Sequence, residues 1–235
     1  MIKTVMFDLD DTLFDHKYSR ICALNAIKNG HEAISCTPVE DLEKEHEVLL
    51  SGNYLKVLDR TLTMNDSMVE RTYLLFLKYG IELSEDEAAS YTEIYKNTYE
   101  FNRRAVPGVK ELIKLLKENY NIGIISNGLF DIQMEKLRIC CLEDYFNFII
   151  LSEDIKARKP DKAIFEAALE KCGCKPEEVI YFGDSWETDI LGASNCSIKT
   201  IWLNRYERNC PDRGLTYEIK SYDDIKGILD YIRSF

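Results

Sequence analysis

Three short apolar segments of the chain end directly in polar residues whose types suit phosphate and metal chemistry. The residues in question are Asp8, Asp10 and Thr12 after the first segment, Ser126 and Asn127 after the second, and Asp184 after the third, with Asp189 five positions later. A lysine, Lys159, stands directly before a proline that suits the first turn of a helix. Acidic groups, a hydroxyl–amide pair and one lysine are therefore the candidates for chemistry.

Carboxylates packed together are costly unless a cation joins them. Mg²⁺ prefers oxygen ligands, usually one or two carboxylates with waters and a substrate phosphate, and Asp8 and Asp184 can supply them. A carboxylate in such a field can attack phosphorus and form an aspartyl-phosphate. Asp10 is close enough to protonate a leaving alkoxide and later to deprotonate water. A hydroxyl, an amide and a lysine around the phosphoryl group would stabilise its equatorial oxygens.

Five nearly continuous apolar runs predict parallel strands that are buried on both faces. They span Lys3–Asp8, Asn121–Ser126, Phe148–Ser152, Val179–Gly183 and Lys199–Leu203. Helical periodicity follows each run and predicts helices near 108–119, 129–139, 161–172, 187–195 and 222–233. This alternation predicts an α/β fold, a doubly wound, Rossmann-like parallel sheet. Because ligands of such sheets bind at the carboxyl ends of the strands, the polar residues above are expected to share one crevice.

One interval breaks this alternation, because the stretch between the first and second strands is far longer than a crossover needs. Residues 15–105 have helical spacing almost throughout, with capping boxes that begin at Thr37 and Ser84. Four helices with apolar stripes can pack as a small bundle. We therefore predict two domains, a catalytic core of residues 1–14 and 106–235 and an inserted helical domain of residues 15–105.

The composition excludes several classes of protein. The chain of 235 residues has 30 basic and 41 acidic residues, a net charge of −11, and lacks the basic stripe that a nucleic-acid polymer needs. An acidic protein that binds an anionic substrate needs a local cation. No apolar run approaches a membrane span, and no signal peptide is recognisable, so a cytoplasmic protein is expected. The cysteines lack a C-x-x-C pair and are expected to be reduced thiols: Cys22, Cys36, Cys140, Cys141, Cys172, Cys174, Cys196 and Cys210.

The polar motifs, in this order, resemble those of the haloacid dehalogenase superfamily of hydrolases, and the resemblance covers nearly the whole chain. It is carried by Asp8-Leu9-Asp10-Asp11-Thr12, Ser126-Asn127, Lys159-Pro160 and Gly183-Asp184 with Asp189. It implies that Asp8 is the nucleophile and a Mg²⁺ ligand, and that Asp10 is the general acid/base and a ligand through its carbonyl. Ser126 and Lys159 would bind phosphate, with Lys159 also neutralising Asp8, and Thr12 and Asn127 would shape the phosphate cradle. Asp184 would bind the metal, and Asp189 would support it or orient Lys159. The helical insert resembles the cap domain of that family.

Finer features resemble the pyrimidine 5′-nucleotidase-like branch of the family, among them Gln133, Lys136-Leu137 and Trp202-Leu203-Asn204. Asp10 favours phosphate esters over carbon–halogen bonds, because a halide leaving group needs no acid. A stripe of Tyr91, Tyr95 and Tyr99 would add a stacking surface for a nucleobase, or would be bundle core. The expected substrate is a small phosphometabolite such as a nucleoside 5′-monophosphate, with the oligomeric state, monomer or dimer, left open. The alternatives are a sugar phosphomutase and a non-enzymatic phospho-receiver or binding protein.

Overall fold

The structure is a computed structural model that describes residues 1–209, 211–212 and 214–235, with only the backbone described at Leu58. The thiol predicted at Cys210 lies outside these residues, and the seven other cysteines are free. The described chain forms two compact units. The first consists of Met1–Asp15 with Arg104–Phe235, and the second of His16–Arg103. None of the described helices is both long enough and apolar enough to span a membrane.

The second unit, the helical unit, contains four helices: α1 (His16–Asn29), α2 (Val39–Leu58), α3 (Met64–Lys78) and α4 (Glu85–Phe101). Their apolar stripes meet in a common core around Leu24, Leu42 and Phe76. Ser84 forms the predicted capping box with Glu87 at the start of α4. The predicted box at Thr37 is wrong, because α2 is preceded by Pro38, which offers no side-chain cap.

The helical unit also buries a group of charged and polar side chains, the bundle cluster, which consists of Arg20, Glu43, His46 and Arg71. Each of these side chains is about nine-tenths buried or more. Arg20 donates to the Glu43 carboxylate, whereas Arg71 donates to the Ser67 hydroxyl at 3.3 Å. Burial, reinforced by the charges of Arg71 and Arg20, holds the pKa of His46 well below its ordinary value, so this ring is neutral.

The first unit, the α/β unit, is built on a sheet of six parallel strands in the order β3-β2-β1-β4-β5-β6. The strands are β1 (Thr4–Phe7), β2 (Asn121–Ser126), β3 (Phe148–Leu151), β4 (Val179–Gly183), β5 (Lys199–Leu203) and β6 (Tyr217–Ile219). The predicted doubly wound α/β fold is confirmed. The short edge strand β6 was not predicted, because three residues carry too little of a strand pattern.

The helices of the α/β unit are α5 (Val109–Lys117), α6 (Phe130–Ile139), α7 (Ser152–Ile155), α8 (Lys162–Cys172), α9 (Leu191–Ser194) and α10 (Ile225–Arg233). Asp161 caps α8 as its side chain accepts from the amide of Ala163. The helix predicted near 187–195 is present as a helical segment over 186–194, but its first part is π-helical rather than α-helical. A π-helical turn, Trp186–Ile190, precedes the short α9 and brings Asp189 back toward the end of β4.

The chain path creates a crevice at the carboxyl ends of two central strands. From β1 the chain proceeds to β2 and β3 on one side of the sheet, and then returns to form β4, β5 and β6 on the other. Phe7, the last residue of β1, lies between Ile124 of β2 and Phe182 of β4. In open α/β sheets this switch point is where ligands bind. The residues that follow β1 and β4 are therefore the candidates for ligand binding.

Candidate active site

Asp8 and Lys159 form the buried centre of the site. Asp8 continues β1, with its amide donating to the carbonyl of Phe182 at 2.8 Å. The Lys159 ammonium donates to Asp8 Oδ1 at 2.6 Å, to Asp189 Oδ1 at 2.7 Å and to the Tyr181 hydroxyl at 2.9 Å. All three of the protons that a lysine can donate are thus directed to named acceptors. The structure thus brings together Asp8, Lys159 and Asp189, which are far apart in the sequence, as the sequence predicted.

Asp184 brings a third carboxylate to the same point. Oxygens of Asp8, Asp184 and Asp189 all lie within 4.8 Å of one another. Asp189 is engaged on both of its oxygens, since Oδ1 accepts from Lys159 and Tyr181 and Oδ2 accepts from the amide of Ser185 at 3.1 Å. Asp189 therefore braces the site, and Asp8 and Asp184 are the carboxylates placed to receive a cation. We call Asp8, Lys159, Asp184 and Asp189 the strand-end site.

Gly183 allows this close approach. A Cβ atom at position 183 would lie 2.3 Å from Cβ of Asp189, a distance that atoms in contact do not adopt. Glycine is thus required at the end of β4, because the π-helical turn places the Asp189 side chain against this position. The carbonyl of Asp184 is held on the other side, where it accepts from the indole N–H of Trp202 at 2.9 Å.

The electrostatics of the strand-end site show an excess of negative charge. Burial, and then the neighbouring Asp189 and Asp10, raise the pKa of Asp8 to about 7 in spite of the opposing effect of Lys159. Burial and then Asp11, Asp189 and Asp8 raise the pKa of Asp184 well above its ordinary value. Burial opposes the charge of Lys159, but the two facing carboxylates outweigh it and raise the pKa of the ammonium. One lysine therefore does not neutralise the three carboxylates, and a divalent cation would.

The donor set fits Mg²⁺. The groups within reach are carboxylate oxygens, which Mg²⁺ prefers to nitrogen or sulfur, and Asp189 is the carboxylate whose two oxygens both accept from protein donors. The surplus negative charge explains why the carboxylates are costly to bury without an ion.

Asp10 is contacted by a second lysine. Its oxygens accept from the Lys136 ammonium at 2.6 and 2.8 Å, and Oδ2 also accepts from the Gln133 amide at 3.2 Å. About a third of the Asp10 side chain is exposed, which suits a group that exchanges protons with substrate and water. The sequence placed Gln133 and Lys136 in a branch-typical motif but did not predict this contact, because it depends on how α6 packs against the turn after β1.

Ser126, Asn127 and Thr12 surround this centre in three different ways. The Ser126 hydroxyl accepts from Gln133 at 2.6 Å and from the amide of Gly128 at 3.3 Å. The Asn127 side chain accepts from the Lys159 amide at 2.8 Å and donates to the Lys159 carbonyl at 3.1 Å, which fixes the lysine backbone. Thr12 is fully buried, and its carbonyl accepts from the Tyr222 hydroxyl.

The tyrosine stripe of the helical unit packs within that unit. Tyr95 is 7% exposed and stacks on His46 with ring centroids 5.1 Å apart. Tyr91 packs against Phe76 at 4.8 Å. Tyr95 therefore belongs to the bundle core, and Tyr91 and Tyr99 are partly buried against it, which favours the core interpretation of the stripe over a stacking surface for a nucleobase.

The fold and these motifs define a class of protein. Residues 5–203 match the model of the haloacid dehalogenase-like hydrolase family, and the chain belongs to that family. It is 32% identical over 225 residues to a glyceraldehyde 3-phosphate phosphatase of Pyrococcus furiosus, covering 95% of this chain and 88% of the relative. It is 37% identical over 128 residues to the pyrimidine 5′-nucleotidase YjjG of Escherichia coli, covering 53% of this chain and 56% of the relative.

A solved structure shows the same fold over nearly the whole chain. The HAD-hydrolase YfnB of Bacillus subtilis, whose crystal structure is described as bound to magnesium, superposes with a TM-score of 0.72 at 24% identity, covering 98% of both chains. At this level of identity the similarity concerns the fold.

Proposed function

We propose that the protein hydrolyses phosphomonoesters through an aspartyl-phosphate on Asp8. The observation that carries this proposal is the buried Asp8 carboxylate at the end of β1, which accepts from Lys159 and lies within 4.8 Å of Asp184 and Asp189 oxygens. It lies at the switch point of the sheet, where ligands of open α/β sheets bind, and its lysine partner holds it in one orientation. A fixed carboxylate beside cationic charge is the arrangement that nucleophilic attack on a phosphate dianion needs.

The reaction balances with two carboxyl groups. In the first step an oxygen of Asp8 forms a bond to phosphorus, the bond from phosphorus to the alcohol oxygen breaks, and the Asp10 carboxyl gives its proton to that oxygen. In the second step the Asp10 carboxylate takes a proton from water as the water oxygen bonds to phosphorus. The Asp8–phosphorus bond then breaks, releasing phosphate and restoring both side chains.

Asp8, Asp184 and the carbonyl of Asp10 would hold Mg²⁺, with Asp189 as the bracing group. When bound, Mg²⁺ supplies positive charge that offsets the phosphate and the clustered carboxylates. The Ser126 hydroxyl, and Lys159 once one of its three hydrogen bonds is exchanged, would then bind phosphoryl oxygens, and Asn127 keeps the Lys159 backbone in place through its two hydrogen bonds. Thr12 and Asn127 complete the cradle.

We propose nucleoside 5′-monophosphates as the substrate class. Support comes from relatives named pyrimidine 5′-nucleotidases, one of which, from Streptococcus pneumoniae, aligns over 97% of this chain at 27% identity. A second candidate is glyceraldehyde 3-phosphate, favoured by the phosphatase of Pyrococcus furiosus that covers 95% of this chain. The helical unit would serve as the cap domain that selects the leaving alcohol, and the cytoplasm, where small phosphometabolites occur, would be the setting.

A phosphate-release panel tests these assignments. UMP, dUMP, glyceraldehyde 3-phosphate and glucose 6-phosphate would be compared with Mg²⁺ and with excess chelator. We expect kcat/KM for UMP or dUMP to exceed that for glucose 6-phosphate by at least ~10-fold, which is about 1.4 kcal/mol. A higher value for glyceraldehyde 3-phosphate would replace the nucleotide assignment. Isomerisation of a sugar phosphate without release of phosphate would favour a mutase and overturn the hydrolase.

A further inference from the structure

Helix α6 presents two side chains to Ser126 and Asp10 from one face. Gln133 and Lys136 are three positions apart, so both lie on the same side of the helix. Gln133 is 1% exposed, and the Lys136 side chain is 12% exposed. Neither residue belongs to the set that forms and breaks bonds in the proposed function, yet both contact members of that set.

Gln133 joins Ser126 to Asp10. Its amide nitrogen donates to the Ser126 hydroxyl at 2.6 Å and to Asp10 Oδ2 at 3.2 Å. A carboxylate oxygen can only accept, so the nitrogen of the Gln133 amide must face Asp10. Gly128 makes room for this side chain, because a Cβ atom there would lie 2.1 Å from the Gln133 nitrogen.

The contacts of the Ser126 hydroxyl determine where its proton points. The oxygen accepts from Gln133 and also from the Gly128 amide at 3.3 Å. A hydroxyl has two acceptor lone pairs and one proton, so with both lone pairs occupied only the O–H remains to be donated. Gln133 therefore leaves the Ser126 proton for a phosphoryl oxygen.

Lys136 fixes the orientation of Asp10. Its ammonium lies 2.6 Å from Oδ1 and 2.8 Å from Oδ2, so rotation of the carboxylate would break a charge-assisted hydrogen bond. The ammonium also lies 5.4 Å from the centre of the Phe14 ring, a cation–π contact that helps to keep it in place.

We propose that Gln133 and Lys136 are positioning residues of the phosphoryl-transfer site. Gln133 directs the Ser126 proton to the phosphoryl group, and Lys136 holds Asp10 where it can transfer a proton to and from the reacting oxygens. This inference rests on the proposed function, and it assigns different roles to two residues of α6. Loss of Gln133 affects mainly the phosphoryl group, because its bond to Ser126 at 2.6 Å is shorter than its bond to Asp10 at 3.2 Å, whereas loss of Lys136 affects the leaving group.

A pair of substrates separates these two effects. Benzyl phosphate and p-nitrophenyl phosphate are similar in size, but only the benzyl alkoxide needs a proton as it leaves. For Lys136→Met we expect the ratio of kcat/KM for benzyl phosphate to that for p-nitrophenyl phosphate to fall by about 10-fold or more, the scale of losing a supporting contact. For Gln133→Leu we expect both values to fall, by about 10- to 100-fold, with a smaller change in their ratio.

Three further variants provide the controls. Lys136→Arg keeps a cation that can contact both carboxylate oxygens and should restore the ratio to within about 3-fold of wild type. If Lys136→Met has a lower Tm than wild type, Lys136→Gln replaces it in the comparison, because it also removes the charge but keeps a polar side chain. Arg138→Met removes a cation from the same helix, where it pairs with Glu143 at 3.1 Å, and should leave both substrates unchanged.

The outcomes separate the inference from the function on which it rests. A wild-type protein that releases phosphate from neither substrate, with Mg²⁺ present, would contradict the proposed function and with it this inference. An active wild type whose Lys136→Met ratio is unchanged or higher would overturn the role of Lys136 alone. An active wild type in which Gln133→Leu keeps full kcat/KM on both substrates would overturn the role of Gln133.

Discussion

The two buried groups of charges in this chain differ in how they are balanced. In the strand-end site three carboxylates face one lysine, whose ammonium makes three hydrogen bonds of 2.6 to 2.9 Å. In the bundle cluster Arg20 pairs with Glu43 beside a neutral histidine and Arg71 donates to Ser67, while the Nε atom of Arg71 and the Nδ1 atom of His46 have no hydrogen-bond partner among the described residues. The first group has more acidic than basic side chains and a lysine with three hydrogen bonds, whereas the second has two arginines and one glutamate and leaves nitrogen atoms of Arg71 and His46 without a hydrogen bond in the described part of the chain.

This difference separates a site from a structural group. Surplus charge whose geometry is fixed by protein hydrogen bonds is prepared for a ligand of the opposite sign. A buried cation with a single weak hydrogen bond contributes little and is often replaceable by an apolar side chain. The strand-end site should therefore lose function when it is altered, and the bundle cluster should change stability alone.

The largest effect is expected from Asp8→Asn. The substitution keeps the size of the side chain but removes the nucleophile, so turnover should fall by at least about 10³-fold. The measurement is phosphate release with Mg²⁺, and the matched control is Asp131→Asn, an exposed aspartate in the first turn of α6. Retention of more than a few per cent of the activity in Asp8→Asn would remove Asp8 from this role.

The two arginines of the bundle cluster should respond in opposite ways. Arg20→Met leaves Glu43 with less compensation in the core and should lower the free energy of unfolding by about 3–5 kcal/mol. Arg71→Met removes a buried cation whose hydrogen bond to Ser67 is 3.3 Å long, and should change stability by less than about 1 kcal/mol or increase it. Urea denaturation measures both, and equal losses would contradict the account of the cluster.

Mg²⁺ should stabilise the strand-end site. An ion at 100 times its dissociation constant adds about 2.7 kcal/mol to the native state, which is a rise in Tm of about 5 to 10 °C for a chain of this size. Asp184→Asn should abolish the rise, and Asp230→Asn, an exposed aspartate of α10, should retain it. An equal rise in Tm for wild type and Asp184→Asn would place the ion elsewhere.

The smallest effect is a pH dependence from His46. Because burial, Arg71 and Arg20 lower its pKa in the folded state, the unfolded chain binds a proton first as the pH falls. The contribution of His46 to the free energy of unfolding is therefore constant above about pH 6.5. Below that pH it decreases by up to about 1.4 kcal/mol per pH unit, until the histidine of the folded state is protonated. His46→Phe, which keeps the ring stacked on Tyr95, should remove this part of the slope between pH 7 and 5. If the slope of stability against pH is the same in His46→Phe as in wild type, the pH dependence comes from other groups.

The sequence predicted most of the strand-end site, because the polar residues directly follow apolar strands and parallel strands end at one edge of a sheet. It did not predict that Asn127 holds the Lys159 backbone or that Lys136 binds Asp10, since both contacts depend on the packing of loops and helices. The bundle cluster was not predicted at all. Its members lie on three helices at spacings that also suit a solvated face, and only the packed bundle shows that they are buried.

The central claim is that the phosphoryl group passes through Asp8, and pre-steady-state kinetics of the Asp10→Asn variant test it most directly. With p-nitrophenyl phosphate the first step needs no acid, whereas the second step has lost its base, so the intermediate should accumulate. We expect a burst of p-nitrophenolate that approaches one equivalent per chain, with the phosphoryl label on the peptide that contains Asp8. The burst should be absent from the double variant that carries both Asp10→Asn and Asp8→Asn. Linear release without label, or a burst that persists without Asp8, would contradict the account.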